Sequence, residues 1–437
     1  MNMHPVRATF CAVLRRALVA LGLVAVANFV SAASPSPAEK LASTSRNAEA
    51  SVAAERAHHL AELGVDGWHA AGTTGRGIKV AVLDGGFRGY KQFLGSALPA
   101  HVEAKTFRKD GNFEARDTQH GILCAEVVHT LAPDAELILA NWDEDDADSF
   151  LKAVKWARDE GARIITCSII MPRLSDGEGG GPIHAALAKS LGDGKRPGDM
   201  LCFASAGNTA TRHWFGQFHA NAAGFHEWKT GVVDNALTPW GDDKVSVELC
   251  SKPGSRYELF VFDDSIGAEL THSPLSMTQN PAVRFEPKAG HDYRVRLKLL
   301  AGPGGAFHVV SLHSDLTEVN RPGSVAFPGD GPEVVAVGAV DHAGRLTSYS
   351  AIGQSNSAVK PDLVAPVPFL SAWRARPFAG TSAAAPQAAA LAALVWSRHP
   401  DWKSPSVRSA LQFSAHDLGI PGPDPETGYG LVHLPAK

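Results

Sequence analysis

The sequence predicts an α/β fold with a doubly wound, mainly parallel sheet, into which an antiparallel β-sandwich is inserted. Short apolar runs alternate with helical patterns over about residues 78–208 and again from residue 332. Strands buried on both faces and separated by helices are typical of a parallel sheet covered on both sides. Between these stretches, residues 232–318 alternate polar and apolar side chains, which indicates antiparallel strands in a separate sandwich.

The individual elements follow from the same patterns. We expect parallel strands at 78–84, 135–140, 162–169, 199–208 and 332–341, with a further one in "KPDLVAPV". We expect helices at about 51–70, 120–131, 148–160, 182–191 and 404–416, with another in the alanine-rich run after Ser382. The predicted helices fall between the predicted strands, as a doubly wound sheet requires.

The first 64 residues carry an export pattern rather than a folded domain. Three arginines precede the apolar stretch 17–30, and small residues follow it near Ala32. This predicts a cleaved signal peptide over 1–32 and a linker or N-terminal extension over 33–64. The protein is then secreted or periplasmic, with no stable membrane anchor after cleavage. Losing three positive charges moves the formal net charge from −4 to −7, so binding of nucleic acid through bulk positive charge is not expected.

Cysteine usage does not suggest a disulfide scaffold. After signal cleavage the remaining cysteines are Cys124, Cys167, Cys202 and Cys250. They lack the paired spacing of a zinc site, and most lie in segments with the pattern of buried elements. We expect buried free thiols, with one disulfide left open.

Polar residues that could do chemistry stand where elements end or begin. Asp84 closes an apolar strand, Asn208 follows another, and His120 and Ser382 each open a helix. A serine hydroxyl becomes a nucleophile when an adjacent base takes its proton, and a histidine can do so near neutral pH. A buried aspartate then orients the imidazole, and an amide stabilises the oxyanion. Each residue alone has a bland interpretation as a cap, a turn or a surface side chain.

Four segments together resemble the signature blocks of the subtilisin-like serine proteases, the subtilase family. They are "VAVLDGG", "HGILCAEVV", "SAGN" and "GTSAAAP", in the order of the family. The resemblance implies a triad of Asp84, His120 and Ser382, with Asn208 in the oxyanion hole. It covers roughly 65–211 and 318–437, which we interpret as two parts of one catalytic domain separated by an inserted sandwich at 212–317.

The sequence also departs from the family pattern. In "CSIIMP", Ser168 fits the substrate-binding strand, but Ile169, Ile170 and Met171 stand where small residues are expected. This indicates either a narrowed or reshaped pocket or a plain apolar strand end. The acidic stretch 143–148 either favours basic substrate residues or caps the next helix. After His120 the chain leaves no room for the calcium loop of many relatives. Cys124 lies one helical turn beyond His120, where some relatives carry a thiol sensitive to mercurials.

The sequence therefore predicts an exported serine endopeptidase acting on protein or peptide substrates. No cofactor is required and no metal site is identified, although a calcium ion elsewhere is left open. The alternatives are a non-catalytic binding protein on a subtilase scaffold, or the related acid type that uses a glutamate in place of histidine. An intact set of Asp84, His120, Asn208 and Ser382 argues against both.

Overall fold

A seven-stranded parallel sheet is formed by strands from both sides of residues 206–333. The computed structural model describes residues 52–114, 118–274, 280–354 and 359–436, so the predicted signal peptide lies outside the described residues. The strand order is β16-β15-β5-β4-β1-β3-β2, and every neighbouring pair is parallel. The strands are β1 Lys79–Leu83, β2 Glu103–Thr106, β3 Glu136–Asn141, β4 Ile164–Cys167, β5 Leu201–Ser205, β15 Val334–Val340 and β16 Leu363–Pro366.

Helices cover both faces of this sheet. Successive side chains of a strand point to opposite faces, and in β1 Val80 and Val82 belong to one hydrophobic cluster while Ala81 and Leu83 belong to another. The helices are α1 over 52–62, α2 Val65–Ala70, α3 His120–Leu131, α4 Ala147–Asp159, α5 Pro182–Leu191, α6 Thr381–Arg398 and α7 Ser404–Ser414. The first cluster includes α3 and α6, and the second includes α4 and α5.

Between β5 and β15 the chain forms two antiparallel sheets, which we call the β-insert. One sheet has the order β10-β9-β12-β7-β14, the other has the order β11-β8-β13-β6, and both contribute to one hydrophobic cluster. The strands are β6 His213–Gln217, β7 Asn235–Pro239, β8 Val245–Ser251, β9 Arg256–Asp263, β10 Ala268–His272, β11 Ala282–Phe285, β12 Tyr293–Ala301, β13 Ala306–Leu312 and β14 Ser314–Leu316.

The predicted fold class is confirmed, with three local differences. The predicted helix 51–70 is two helices, because Gly64 between them has a φ of 73°, in the left-handed region. Strand β2 was not predicted, because its short "EAKT" sequence is partly exposed and has no apolar run. The first strand of the β-insert begins at His213, within the predicted insert 212–317 but earlier than the period-two pattern at 232. The division of the chain at 211/212 and 317/318 stays a prediction, and Ser51–Lys437 form one compact unit.

The described cysteines and helices bear on two further predictions. Cys124, Cys167, Cys202 and Cys250 are all free and buried, as expected without a disulfide scaffold. Among the described residues, every helix is too short or too polar to cross a membrane.

Candidate active site

The fold brings the predicted residues to one end of the parallel sheet. Asp84 directly follows β1, and Asn208 lies three residues beyond the end of β5. His120 is the first residue of α3 and Ser382 is the second of α6. Polar groups collect at the carboxyl ends of parallel strands because loops and helix N-termini meet there.

Asp84 and His120 form a close, oriented pair. The Nδ1 atom of His120 lies 2.8 Å from Oδ2 of Asp84, whose side chain is fully buried. The backbone N–H of Gly86 donates to the other carboxylate oxygen at 3.4 Å. On its other side the imidazole meets the ring of Phe378 edge to face, with the ring centroids 5.4 Å apart. The carboxylate therefore fixes a proton on Nδ1 and leaves Nε2 as the acceptor.

Electrostatics in this pair favour the protonated imidazole. Burial alone would lower the pKa of His120, but the Asp84 carboxylate raises that pKa well above its ordinary value. The Cys124 Sγ atom lies 3.6 Å from Asp84 Oδ2 and 3.9 Å from His120 Nδ1. Burial raises the pKa of the Cys124 thiol, so it stays neutral beside the pair.

The start of α6 holds Ser382 against the neighbouring strand. Pro386 lacks the N–H that would bond the Ser382 carbonyl four residues earlier. That carbonyl instead accepts a hydrogen bond from the Ser168 hydroxyl at 3.0 Å. The Ser382 hydroxyl donates to the Ser168 carbonyl at 3.4 Å, so its hydrogen bond in this structure goes to the strand and not to His120. Catalytic hydrogen bonds are often looser in a free enzyme than in its complexes.

The Asn208 side chain is anchored so that its NH₂ group is free to donate. Its Oδ1 atom accepts hydrogen bonds from the N–H and the hydroxyl of Thr381, both at 3.0 Å. Only the oxygen of the Asn208 amide can accept a hydrogen bond from the Thr381 N–H, so this contact determines which way the amide group points. Gly380 permits this contact, since a Cβ there would lie 2.9 Å from Asn208 Nδ2 and the φ of 86° is unfavourable for other residues.

Three of these four residues line a cavity of about 970 Å³, and Ser382 is not among its described lining residues. Asp84, His120 and Asn208 line it, together with the predicted substrate-binding residues Ser168, Ile169 and Ile170. A Cβ atom placed on Gly207 would lie 3.7 Å from two side-chain atoms of Ile170. The isoleucine therefore occupies space beside Asn208. This supports a reshaped pocket, although the substrate role of all three residues stays a prediction.

The acidic stretch 143–148 is largely paired. Asp146 caps α4 by accepting from the N–H groups of Asp148 and Ser149. Asp143 forms an ion pair with Arg108 at 3.3 Å. These contacts favour the capping interpretation over a free acidic subsite.

Two clusters within the described residues have ligand atoms close enough for a metal ion. One is His59, Glu62 and His342, and the other is Asp84, His120 and Cys124. In the first, His59 Nε2 is already bonded to Gln387 at 2.8 Å. In the second, the neutral thiol is a poor ligand. The expectation that no metal is required stays a prediction.

Sequence reasoning missed the contribution of the β-insert to this cavity. Arg212, Trp240, Lys244, Glu248 and Arg284 of the insert region also line it. Arg284 pairs with Glu248 at 3.0 Å and reaches across to Asp145 at 2.5 Å. Of these residues, local sequence could have pointed only to Arg212, because it lies four residues after Asn208. The others reach the cavity from distant parts of the chain.

The geometry and the sheet order define a subtilisin-like protein. The Subtilase family profile matches residues 264–430, which include Ser382. Over 96 residues the chain is 35% identical to a subtilisin of Bacillus pumilus and 34% identical to subtilisin NAT of Bacillus subtilis subsp. natto. Each match covers 22% of this chain, and 34% and 25% of these relatives respectively.

A solved structure supports the fold over a larger span. The CspB protease of Clostridium perfringens aligns with a TM-score of 0.57 and 15% identity, over 83% of this chain and 92% of that one. At this identity the likeness concerns the fold alone. The family match and the subtilisin relatives support a subtilisin-like serine protease, and the solved structure supports the same fold.

Proposed function

We propose that this chain is an exported serine endopeptidase that hydrolyses peptide bonds in protein or peptide substrates. The observation that carries the proposal is the fixed pair of His120 Nδ1 and Asp84 Oδ2 at 2.8 Å, beside the α6 terminus that holds Ser382. The export step depends on the predicted signal peptide 1–32, and extracellular relatives support it.

In the proposed reaction the Ser382 oxygen attacks the substrate carbonyl, and its proton passes to Nε2 of His120. For this step the Ser382 hydroxyl leaves its hydrogen bond with the Ser168 carbonyl and donates to the imidazole instead. Asp84 stays ionised and stabilises the imidazolium that forms.

The tetrahedral oxyanion needs donors in fixed positions. The Asn208 NH₂ group supplies one, because its Oδ1 atom is held by Thr381. The Ser382 N–H supplies the other, because it lies in the first turn of α6, where N–H groups have no partner within the helix. Such preorganised donors stabilise the charge that develops in the transition state.

Collapse of the intermediate breaks the carbon–nitrogen bond, and His120 gives its proton to the departing amine. Water then attacks the acyl-enzyme while His120 takes its proton. The second tetrahedral intermediate releases the carboxylic acid product, and the proton returns to the Ser382 oxygen. Protons and electron pairs balance without a cofactor.

Hydrolysis by matched serine variants tests the proposal. We expect Ser382→Ala to abolish cleavage of an unstructured protein such as casein. Ser397→Ala, in the last turn of the same helix, keeps the wild-type rate. Equal cleavage by wild type and Ser382→Ala would instead support a non-catalytic binding protein on this scaffold.

A further inference from the structure

Arg212 lies at the junction between the parallel sheet region and the β-insert. Its N–H donates to the Thr209 carbonyl at 2.8 Å, which turns the chain just after Asn208. Its own carbonyl accepts from the N–H of Ser311 at 2.9 Å, which ties it to the insert. The residue is therefore held at a fixed distance from Asn208 by backbone contacts on both sides.

The guanidinium of Arg212 is enclosed yet has no anionic partner among the described residues. The residue is only 7% exposed and lines the same cavity as Asn208. One of its nitrogens donates to the Asn208 carbonyl. Its charge lies over the ring of Trp240, 4.3 Å from the ring centroid. Burial lowers the pKa of Arg212, and Asp315, which is hydrogen-bonded to Trp240, opposes this.

The other arginines that line this cavity are paired with carboxylates. Arg108 faces Asp143 at 3.3 Å, and Arg284 faces Asp145 and Glu248 at 2.5 and 3.0 Å. On the insert side, exposed Lys244 adds positive charge, while Asp243 lies 3.6 Å from His313. Burying a guanidinium without an anion is unfavourable, so this position favours an incoming carboxylate.

The position of Arg212 relates that carboxylate to the reacting bond. The Asn208 amide would bind the attacked carbonyl, and Arg212 is hydrogen-bonded to the backbone of the same asparagine. Ile170, next to Gly207, lines the cavity near Asn208, and Arg212 with Trp240 lines the same cavity. A substrate side chain with a short apolar stem and a terminal carboxylate would contact Ile170 through the stem and Arg212 through the carboxylate.

We propose that Arg212, held by Trp240, selects substrates with glutamate or aspartate immediately before the cleaved bond. Arginine binds a carboxylate through two parallel N–H groups, and Trp240 keeps the guanidinium plane in place. The inference rests on the proposed endopeptidase function and makes the β-insert a determinant of specificity.

Mapping cleavage sites by mass spectrometry in a peptide library tests the inference on the full chain. We expect glutamate and aspartate to be enriched directly before the cleaved bond. A peptide with glutamate there has a kcat/KM about tenfold or more above that of the matched glutamine peptide, as a charged hydrogen bond implies. Absence of enrichment, or enrichment only after the cleaved bond, would overturn the proposal.

Variants separate the charge effect from a structural one. In Arg212→Met we expect the ratio of kcat/KM for the glutamate peptide to that for the glutamine peptide to fall towards unity. Arg212→Lys should retain part of the preference for glutamate. Arg345→Met keeps the wild-type ratio, because Arg345 pairs with Asp341 on an exposed loop. In the wild type the ratio falls as salt rises, which a purely structural role does not produce. The proposal would be contradicted if the glutamate-to-glutamine ratio of kcat/KM did not change with salt and was the same in Arg212→Met as in the wild type.

Failure of this inference is distinguishable from failure of the proposed function. If peptides are cleaved in a Ser382-dependent way without an acidic preference, only the role of Arg212 is wrong. If Ser382→Ala cleaves like the wild type, the proposed function itself is wrong.

Discussion

The carbonyl oxygen of Ser382 accepts a hydrogen bond from the hydroxyl of Ser168 at 3.0 Å, and this contact joins the start of α6 to the end of β4. It is available because Pro386, one turn further along the helix, cannot donate to that carbonyl. A proline inside a helix, usually destabilising, here frees an acceptor for a contact between two elements of the site.

The first prediction concerns pH. His120 accepts a proton only when neutral, and Asp84 outweighs burial to raise its pKa well above the ordinary value of 6.5. We therefore expect kcat/KM to rise with pH through a value above 6.5. In Asp84→Asn the remaining effect of burial lowers the pKa, so the acid limb moves to lower pH and kcat falls by about 10⁴-fold. An acid limb at the same pH in both proteins would contradict this pairing.

The second prediction concerns Asn208. Asn208→Asp retains an oxygen to accept from Thr381 but removes the NH₂ donor and adds a charge. We expect kcat to fall by about 10²–10³-fold, as for loss of one oxyanion donor, with little change in the thermal unfolding midpoint. Steady-state kinetics and calorimetry measure both quantities. A variant with wild-type kcat would exclude this amide from transition-state binding.

The third prediction concerns Cys124. Its Sγ atom lies 3.9 Å from His120 Nδ1, so a mercury atom bound there displaces the imidazole. Mercuric chloride should inhibit the wild type, while Cys124→Ala should remain active and resistant. Cys202→Ala is the matched control, because this thiol is equally buried but lies on β5. Inhibition of Cys124→Ala to the wild-type extent would place the sensitive thiol elsewhere.

The fourth prediction concerns stability. Burial would lower the pKa of His184, but contacts with Asp330 at 2.9 Å and Glu333 at 2.6 Å raise it to about 9. A pKa shift from 6.5 to about 9 corresponds to about 3 kcal/mol of the free energy of unfolding, at about 1.36 kcal/mol per pKa unit. His184 contributes this stability in full below pH 6.5, and the contribution is lost as pH rises through 9.

Unfolding by urea measures this effect. His184→Gln should lower the free energy of unfolding most at pH 6 and much less above pH 9. His101→Gln, on an exposed position, should change it little at either pH. An equal loss at both pH values for His184→Gln would show that the ion pairs do not carry the effect.

The local sequence pattern was sufficient to predict most of the helices and parallel strands, although not β2, and to recognise the four signature blocks. Strand β9, for example, alternates exposed or half-buried with buried residues along its length, as its period-two sequence indicated. His120 opens α3, where its sequence block predicted a helix to begin. Such features are encoded by neighbours within one element, so they can be recognised without knowledge of the fold.

Contacts between distant segments could not be recognised in this way. Trp240 lies beyond the end of β7 in no periodic pattern, and only the fold brings it over Arg212. Strand β8 is buried almost throughout, because its other face meets the turn at Pro172, where the Cys250 thiol donates to the carbonyl at 2.9 Å. The position of the β-insert against the cavity therefore depends on tertiary packing.

Covalent labelling tests the central claim, that Ser382 is an activated nucleophile, most directly. Full-length protein is treated with a fluorophosphonate at neutral to alkaline pH, and the modified residue is located by peptide mass spectrometry. The account predicts a single phosphonylated serine, Ser382, with no labelling in Ser382→Ala. An unmodified Ser382 in folded protein, or equal labelling of the variant, would contradict it.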